Sequence, residues 1–168
     1  ALRRNGARAG DHIYVSGRIG DAGVGLGILR DGLKGGAAAD RDHAVRRYRR
    51  PEPRLALGRS LRELASACID VSDGLIADLT HLAEQSSARM TLDLDRIPVS
   101  PLADLIGGPR AAIVAGDDYE LLFTTAPENE ARLFAAAGDV GVAVSCIGRV
   151  TEGQGVEVLD QSGNAVSL

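Results

Sequence analysis

A chain of 168 residues with a formal net charge of -4 has room for one domain with a real core, and that charge excludes a basic footprint for nucleic acid. Hydrophobic content of 45% and charged content of 25% are those of an ordinary globular protein, and no apolar run reaches membrane-spanning length. With aromatics at 3% and no Trp, the core has to be built from Ala, Leu, Val and Ile.

In chain order, residues 12–16 form an apolar run that predicts a short buried strand. A glycine-containing helix is expected over 22–33, ended by Gly35 and Gly36. Residues 40–49 predict a polar helix broken before Pro51, and 54–67 an amphipathic helix on Leu55, Leu57, Leu61 and Leu64. A strand around Ile69 and Val71 follows, then helical spacing at Leu75, Ile76, Leu79, Leu82 and Ala83. Residues 89–94 alternate as a strand, and 98–101 form a turn with a short helix after it. The remainder reads as strand 119–124, helix 128–137 and strands 142–150 and 156–159. Mixed helices and strands with short connections predict an α/β (α+β) fold, a single mixed sheet with packed helices.

Several familiar motifs fail. Gly23-Val24-Gly25 lacks the third small residue of a dinucleotide loop, since Ile28 stands there, and Leu33 interrupts a P-loop before Lys34. Those glycines are expected to let the helix pack closely on the sheet. His12, His43 and His81 have no metal spacing and read as structural, and no Gly-x-Ser-x-Gly elbow is present. Cys68 and Cys146 read as small buried hydrophobes of a reducing compartment. Arg46, Arg47, Arg49 and Arg50 read as a solvated helix end, with a phosphate or acidic-partner patch as the less favoured alternative. Arg3 and Arg4 are not followed by an apolar segment, so no secretory leader is expected.

Two acidic clusters carry the chemistry. In Cys68-Ile69-Asp70-Val71-Ser72-Asp73-Gly74-Leu75, strand alternation points Ile69 and Val71 one way and Asp70 and Ser72 the other. Acids where a strand gives way to a helix face the crevice in which open sheets hold ligands, and hard oxygens three residues apart suit Mg²⁺ shared with phosphate. The alternative is that Ser72 or Asp73 merely caps the helix. Capping accounts for one residue and leaves Asp70, a carboxylate in an apolar run, unexplained. In the second cluster, Gly116-Asp117-Asp118-Tyr119-Glu120-Leu121, the acids are either solvated turn residues or acceptors for a substrate amine or a cation.

Six ordered segments together resemble the thiamine-monophosphate kinase family, within the superfamily that includes aminoimidazole ribonucleotide synthetase and selenophosphate synthetase. They are residues 4–7, 10–17, 20–22, 50–54, 70–75 and 116–121. The resemblance implies ATP-dependent phosphorylation of thiamine monophosphate to thiamine diphosphate in the cytoplasm. By the family pattern Arg4 and Ser72 bind the nucleotide, Asp70 and Asp73 bind Mg²⁺, and Asp117 helps hold thiamine phosphate. Asp117 stands where the family often has Glu. Residues 1–168 correspond to the C-terminal domain of such an enzyme, so an N-terminal domain with most of the ATP and metal ligands is expected to be absent here. An aromatic tail that follows in the family is also expected to lie outside the chain. The full-length enzyme is expected to be a homodimer through the N-terminal domain, and this piece inactive alone. The alternatives are the equivalent domain of another superfamily synthetase, or a module that binds nucleotide or metal without catalysis.

Overall fold

The computed structural model describes residues 1–167. Six strands make one sheet in the order β2-β4-β1-β5-β3-β6. They are β1 (His12–Ser16), β2 (Ala67–Asp70), β3 (Arg89–Asp93), β4 (Leu121–Thr125), β5 (Val144–Thr151) and β6 (Gly155–Leu159). Every neighbouring pair is antiparallel except β3 and β6, so the sheet is mixed, as expected. The helices are α1 (Asp21–Asp31), α2 (Ala38–Arg49), α3 (Leu55–Ser60), α4 (Leu75–Ser86), α5 (Pro109–Ala112) and α6 (Glu130–Asp139).

The apolar run of β1 is buried on both faces because helices cover both. Ile13, Val15, Ile69, Val71 and Leu122 face Leu75, Leu79 and Leu82 of α4. Tyr14, Cys68 and Phe123 point the other way, against Leu57, Leu61 and Leu133 beneath α3 and α6. Tyr14 and Phe123 stack there with ring centroids 5.7 Å apart, a favourable aromatic separation in a core short of aromatics. A third, smaller cluster around Val24, Ala44 and Leu102 joins α1 to α2.

Three local expectations are corrected. The helix predicted over 54–67 stops at Ser60, passes through a 3-10 turn at Leu61–Glu63, and yields to β2 at Ala67. Pairing with β4 decides this, since the Ser66 amide already donates to the Thr124 carbonyl at 2.8 Å, and tertiary hydrogen bonds outweigh weak helix propensity. The strand predicted from 119 begins at Leu121, because Asp117 and Tyr119 adopt left-handed backbones with φ of 68° and 51°. Finally, the helix glycines admit neighbours other than the sheet: a Cβ on Gly25 would lie 2.2 Å from the Ala44 carbonyl oxygen of α2, one on Gly23 2.6 Å from the Ala115 side chain and one on Gly27 2.6 Å from the Leu33 side chain.

Candidate active site

The two acidic loops meet. Beyond β2 the chain continues beside the approach to β4 through backbone hydrogen bonds: Val71 N–H to Glu120 O, Tyr119 N–H to Val71 O and Asp117 N–H to Ser72 O, at 2.8, 2.8 and 2.9 Å. Segments some 45 residues apart in sequence are thereby laid side by side at one corner of the sheet. Gly74, at φ 117°, makes the turn from this corner into α4, and a side chain there would strike the Val114 carbonyl as well.

Strand alternation then sorts the side chains. Ile69 and Val71 enter the core under α4, and Asp70 comes out on the opposite face, exposed. Asp70 lines a cavity of about 960 Å³ whose wall also includes Leu55, Arg59, Arg62, Tyr119 and Leu121. Asp73 and Asp117 are exposed around the corner and are not part of that wall. Arg4 stands apart, exposed, its carbonyl accepting from the Ser86 hydroxyl, so the structure groups four of the five predicted site residues and leaves Arg4 outside the group. Among the described residues, neither Asp70 nor Asp73 has an ion-pair partner.

Neither Ser72 nor Asp73 caps α4, because Gly74 occupies the cap position without a side-chain bond. Instead Asp78, in the first turn of α4 and only 2% exposed, accepts the Ser72 and Asp73 amides at 2.9 and 3.0 Å. Burial holds the Asp78 carboxyl above the usual carboxylate range. The nearby charges of Asp73 and Asp70 push the same way, and the two amides oppose them. Sequence reasoning missed Asp78, although an acid three residues after Leu75, on the stripe continued by Leu79 and Leu82, was a usable signal.

The second loop is anchored from inside. Asp118 accepts the Gly20 and Ala22 amides at 2.7 and 3.2 Å and so caps α1, whose own cap residue has no side chain to offer. Burial pushes the Asp118 carboxyl up to about 7, with Asp21 adding to the rise and the two amides and Arg47 countering it. Glu120 receives a two-pronged hydrogen bond from Arg54, at 2.8 and 2.6 Å, and one from Arg47 at 3.0 Å. Its hydrogen bonds hold the Arg54 guanidinium above its ordinary value. Arg46, Arg49 and Arg50 are solvated as expected, whereas Arg47 is buried in this network, which corrects its sequence-based reading.

None of the histidines stands at the cavity; His43 meets Asp21 at 3.2 Å, His12 is half-buried and His81 is exposed. Both cysteines are free, Cys68 buried with its thiol pushed up to about 12 by burial, Cys146 only half-buried. Among the described residues no three His, Cys, Asp or Glu side chains converge on a point that could hold a metal ion. Asp70 and Asp73 nevertheless offer exposed hard oxygens without cationic partners. That donor set suits Mg²⁺, which takes one or two carboxylates and fills its shell with water and phosphate oxygens.

Residues 8–161 match the family described as AIR synthase related protein, C-terminal domain. The chain belongs to this family. Thiamine-monophosphate kinase of Escherichia coli (strain K12) is 43% identical over 155 residues, covering 90% of this chain and 48% of that protein. The crystal structure of thiamine-monophosphate kinase from Stenotrophomonas maltophilia K279a superposes with a TM-score of 0.88 at 40% identity, covering 99% of this chain and 54% of that one. A structure described as AaThiL complexed with AMPPCP and TMP superposes with a TM-score of 0.81 at 32% identity, covering 99% and 52%. The chain thus spans about half the length of the curated relatives it matches. No helix among the described residues is long and apolar enough to cross a membrane.

Proposed function

We propose that this chain is the C-terminal half of a thiamine-monophosphate kinase, which transfers a phosphoryl group from ATP to the phosphate of thiamine monophosphate. The observation that carries the reading is the junction of Asp70, Ser72 and Asp73 with Asp117 at one corner of the sheet, in a chain related to kinases of that name. Asp70 and Asp73 are the residues that would hold Mg²⁺, Ser72 and Arg4 meet the nucleotide, and Asp117 meets thiamine phosphate. Bound Mg²⁺ supplies neutralisation of charge between two phosphate groups.

The chain's own residues fit the rest of the chemistry. An attacking phosphate oxygen is already ionised near neutral pH, so positioning and electrostatics suffice and no strong base or protein nucleophile is needed. That agrees with a site of acids whose cavity no histidine lines, while the Cys68 thiol, in the core beneath α3 and α6, is kept protonated by burial. The remaining ATP and metal ligands belong, in this reading, to an N-terminal domain through which the enzyme dimerises, in a reducing cytoplasmic compartment.

The test is a thermal-shift comparison on the full-length protein, with thiamine monophosphate against aminoimidazole ribonucleotide, together with an assay for thiamine diphosphate. A ligand far above its dissociation constant stabilises by a few kcal/mol, which is readily seen. Stabilisation by thiamine monophosphate and product formation are expected. Stabilisation by the purine precursor alone would transfer the protein to a synthetase role, and nucleotide binding without turnover would make it a non-catalytic module.

A further inference from the structure

The segment 117–120 alternates between two duties. Asp117 and Tyr119 face outward on left-handed backbones, while Asp118 and Glu120, 2% and 1% exposed, reach inward. A left-handed conformation is uncommon for a non-glycine residue and persists only when its surroundings over-determine it. Here the surroundings are a charged clamp. Arg54 grips both oxygens of Glu120, and Arg47 joins Glu120 to the Asp118 carbonyl at 3.0 and 2.7 Å. The Ser16 hydroxyl donates to Glu120 at 2.5 Å and accepts the Leu121 amide at 2.8 Å. These contacts come from β1, α2 and the segment before α3, so three separate parts of the fold converge on one carboxylate.

We propose that Glu120, clamped by Arg54 and Arg47, is a positioning residue that fixes Asp117 against the end of β2 and so sets the affinity for the phosphate-bearing substrate. This rests on the kinase reading above. Among the described residues the clamp makes no hydrogen bond or ion pair to the side chains of Asp70, Ser72, Asp73 or Asp117. It acts through the backbone, because once Glu120 is held, the Asp117 and Tyr119 amides can only meet Ser72 and Val71 in the observed register. Arg54 also lines the cavity shared with Asp70, so the same guanidinium ties the loop to the cavity wall. Desolvation offsets much of the attraction within a buried charge network, whereas removing one partner leaves the others uncompensated.

The experiment uses the full-length protein with Glu120→Gln, which keeps the shape and weakens the charged contacts, and Arg54→Lys, which keeps the charge and loses the fork. The KM for thiamine monophosphate should rise about tenfold in Glu120→Gln and less in Arg54→Lys, with kcat and the KM for ATP changing less than about twofold. Amide hydrogen exchange at Asp117 and Tyr119 should accelerate while Leu122 and Phe123 stay protected. Loss of kcat or melting temperature with an unchanged KM would reduce the clamp to a purely structural element and overturn the proposal. Unchanged exchange at residues 117 and 119 would overturn it as well. If the wild type lacks kinase activity, the kinase reading fails and the exchange result still decides whether Glu120 holds the loop.

Discussion

The amide of Asp117 donates to the carbonyl of Ser72 across 2.9 Å, and this bond ties two acidic loops into one corner. It brings Asp70 and Asp117 to the same corner although β2 and β4 are separated by α4, β3, α5 and the loops between them.

Asp70 is exposed at the end of β2 and has no ion-pair partner among the described residues. In the full-length enzyme Asp70→Asn should lower turnover by about two orders of magnitude, the scale on which removal of one electrostatic stabiliser of a transition state acts. The melting temperature should change little. Near-normal kinetics would remove Asp70 from the site.

In the proposed reading the 168-residue chain holds only part of the metal site, and among its described residues no three candidate ligands converge. It should fold and give a cooperative unfolding transition while forming no thiamine diphosphate from ATP and thiamine monophosphate. Measurable product from the purified chain, freed of any full-length contaminant, would contradict this.

Asp78→Ala removes the acceptor for two amides, those of Ser72 and Asp73, and leaves both without a side-chain partner. Hydrogen bonds to a charged group contribute about 1.5–3 kcal/mol, so a stability loss of about 2 kcal/mol is expected. Urea unfolding should show a lower midpoint with an unchanged slope. A midpoint equal to wild type would mean that water replaces the carboxylate at no cost.

Stability should fall as pH rises from about 4 to 7. An unfolded aspartate titrates near 3.9, whereas burial lifts Asp118 to about 7, and Asp78 is raised as well. Between those values the folded state binds more protons than the unfolded state, so raising the pH favours unfolding. Each such group contributes at most about 1.4 kcal/mol per pH unit within its window. Urea midpoints at pH 5, 6, 7 and 8 check the sign, and Asp118→Asn should flatten the decline. A midpoint that climbs across this range would show that the amides of Gly20 and Ala22 outweigh burial.

Gly25→Ala drives a methyl group toward the Ala44 carbonyl oxygen, which is backbone and cannot swing aside. Overpacking of this kind costs about 1–3 kcal/mol despite the higher helix propensity of alanine. Thermal unfolding should report it as a lower melting temperature, and an increase would show that α2 shifts freely.

Most secondary structure and the chemical character of the site were legible from local sequence. Hydrophobic periodicity is a short-range property, so β1, α1 and β3 emerge from their own residues within a residue or two of their ends, and the apolar spacing from Leu75 to Ala83 falls within α4. The helix predicted over 54–67 failed where a partner distant in sequence intervened: β4 claims Ser66 and Ala67, and no local pattern announces that claim. The acids at 70, 73 and 117 were recognisable because charge in or beside an apolar run has to be explained.

What the sequence by itself determined is therefore the alphabet of the site: carboxylates at the end of a strand, a turn of acids before another, and no nucleophile in motif context. Only the tertiary structure decided which acids face water and which are buried, sending Asp70, Asp73 and Asp117 outward and Asp78, Asp118 and Glu120 inward. The reason is physical. An acid's side depends on strand pairing, left-handed turns and remote arginines such as Arg47 and Arg54, and those are supplied by segments far along the chain.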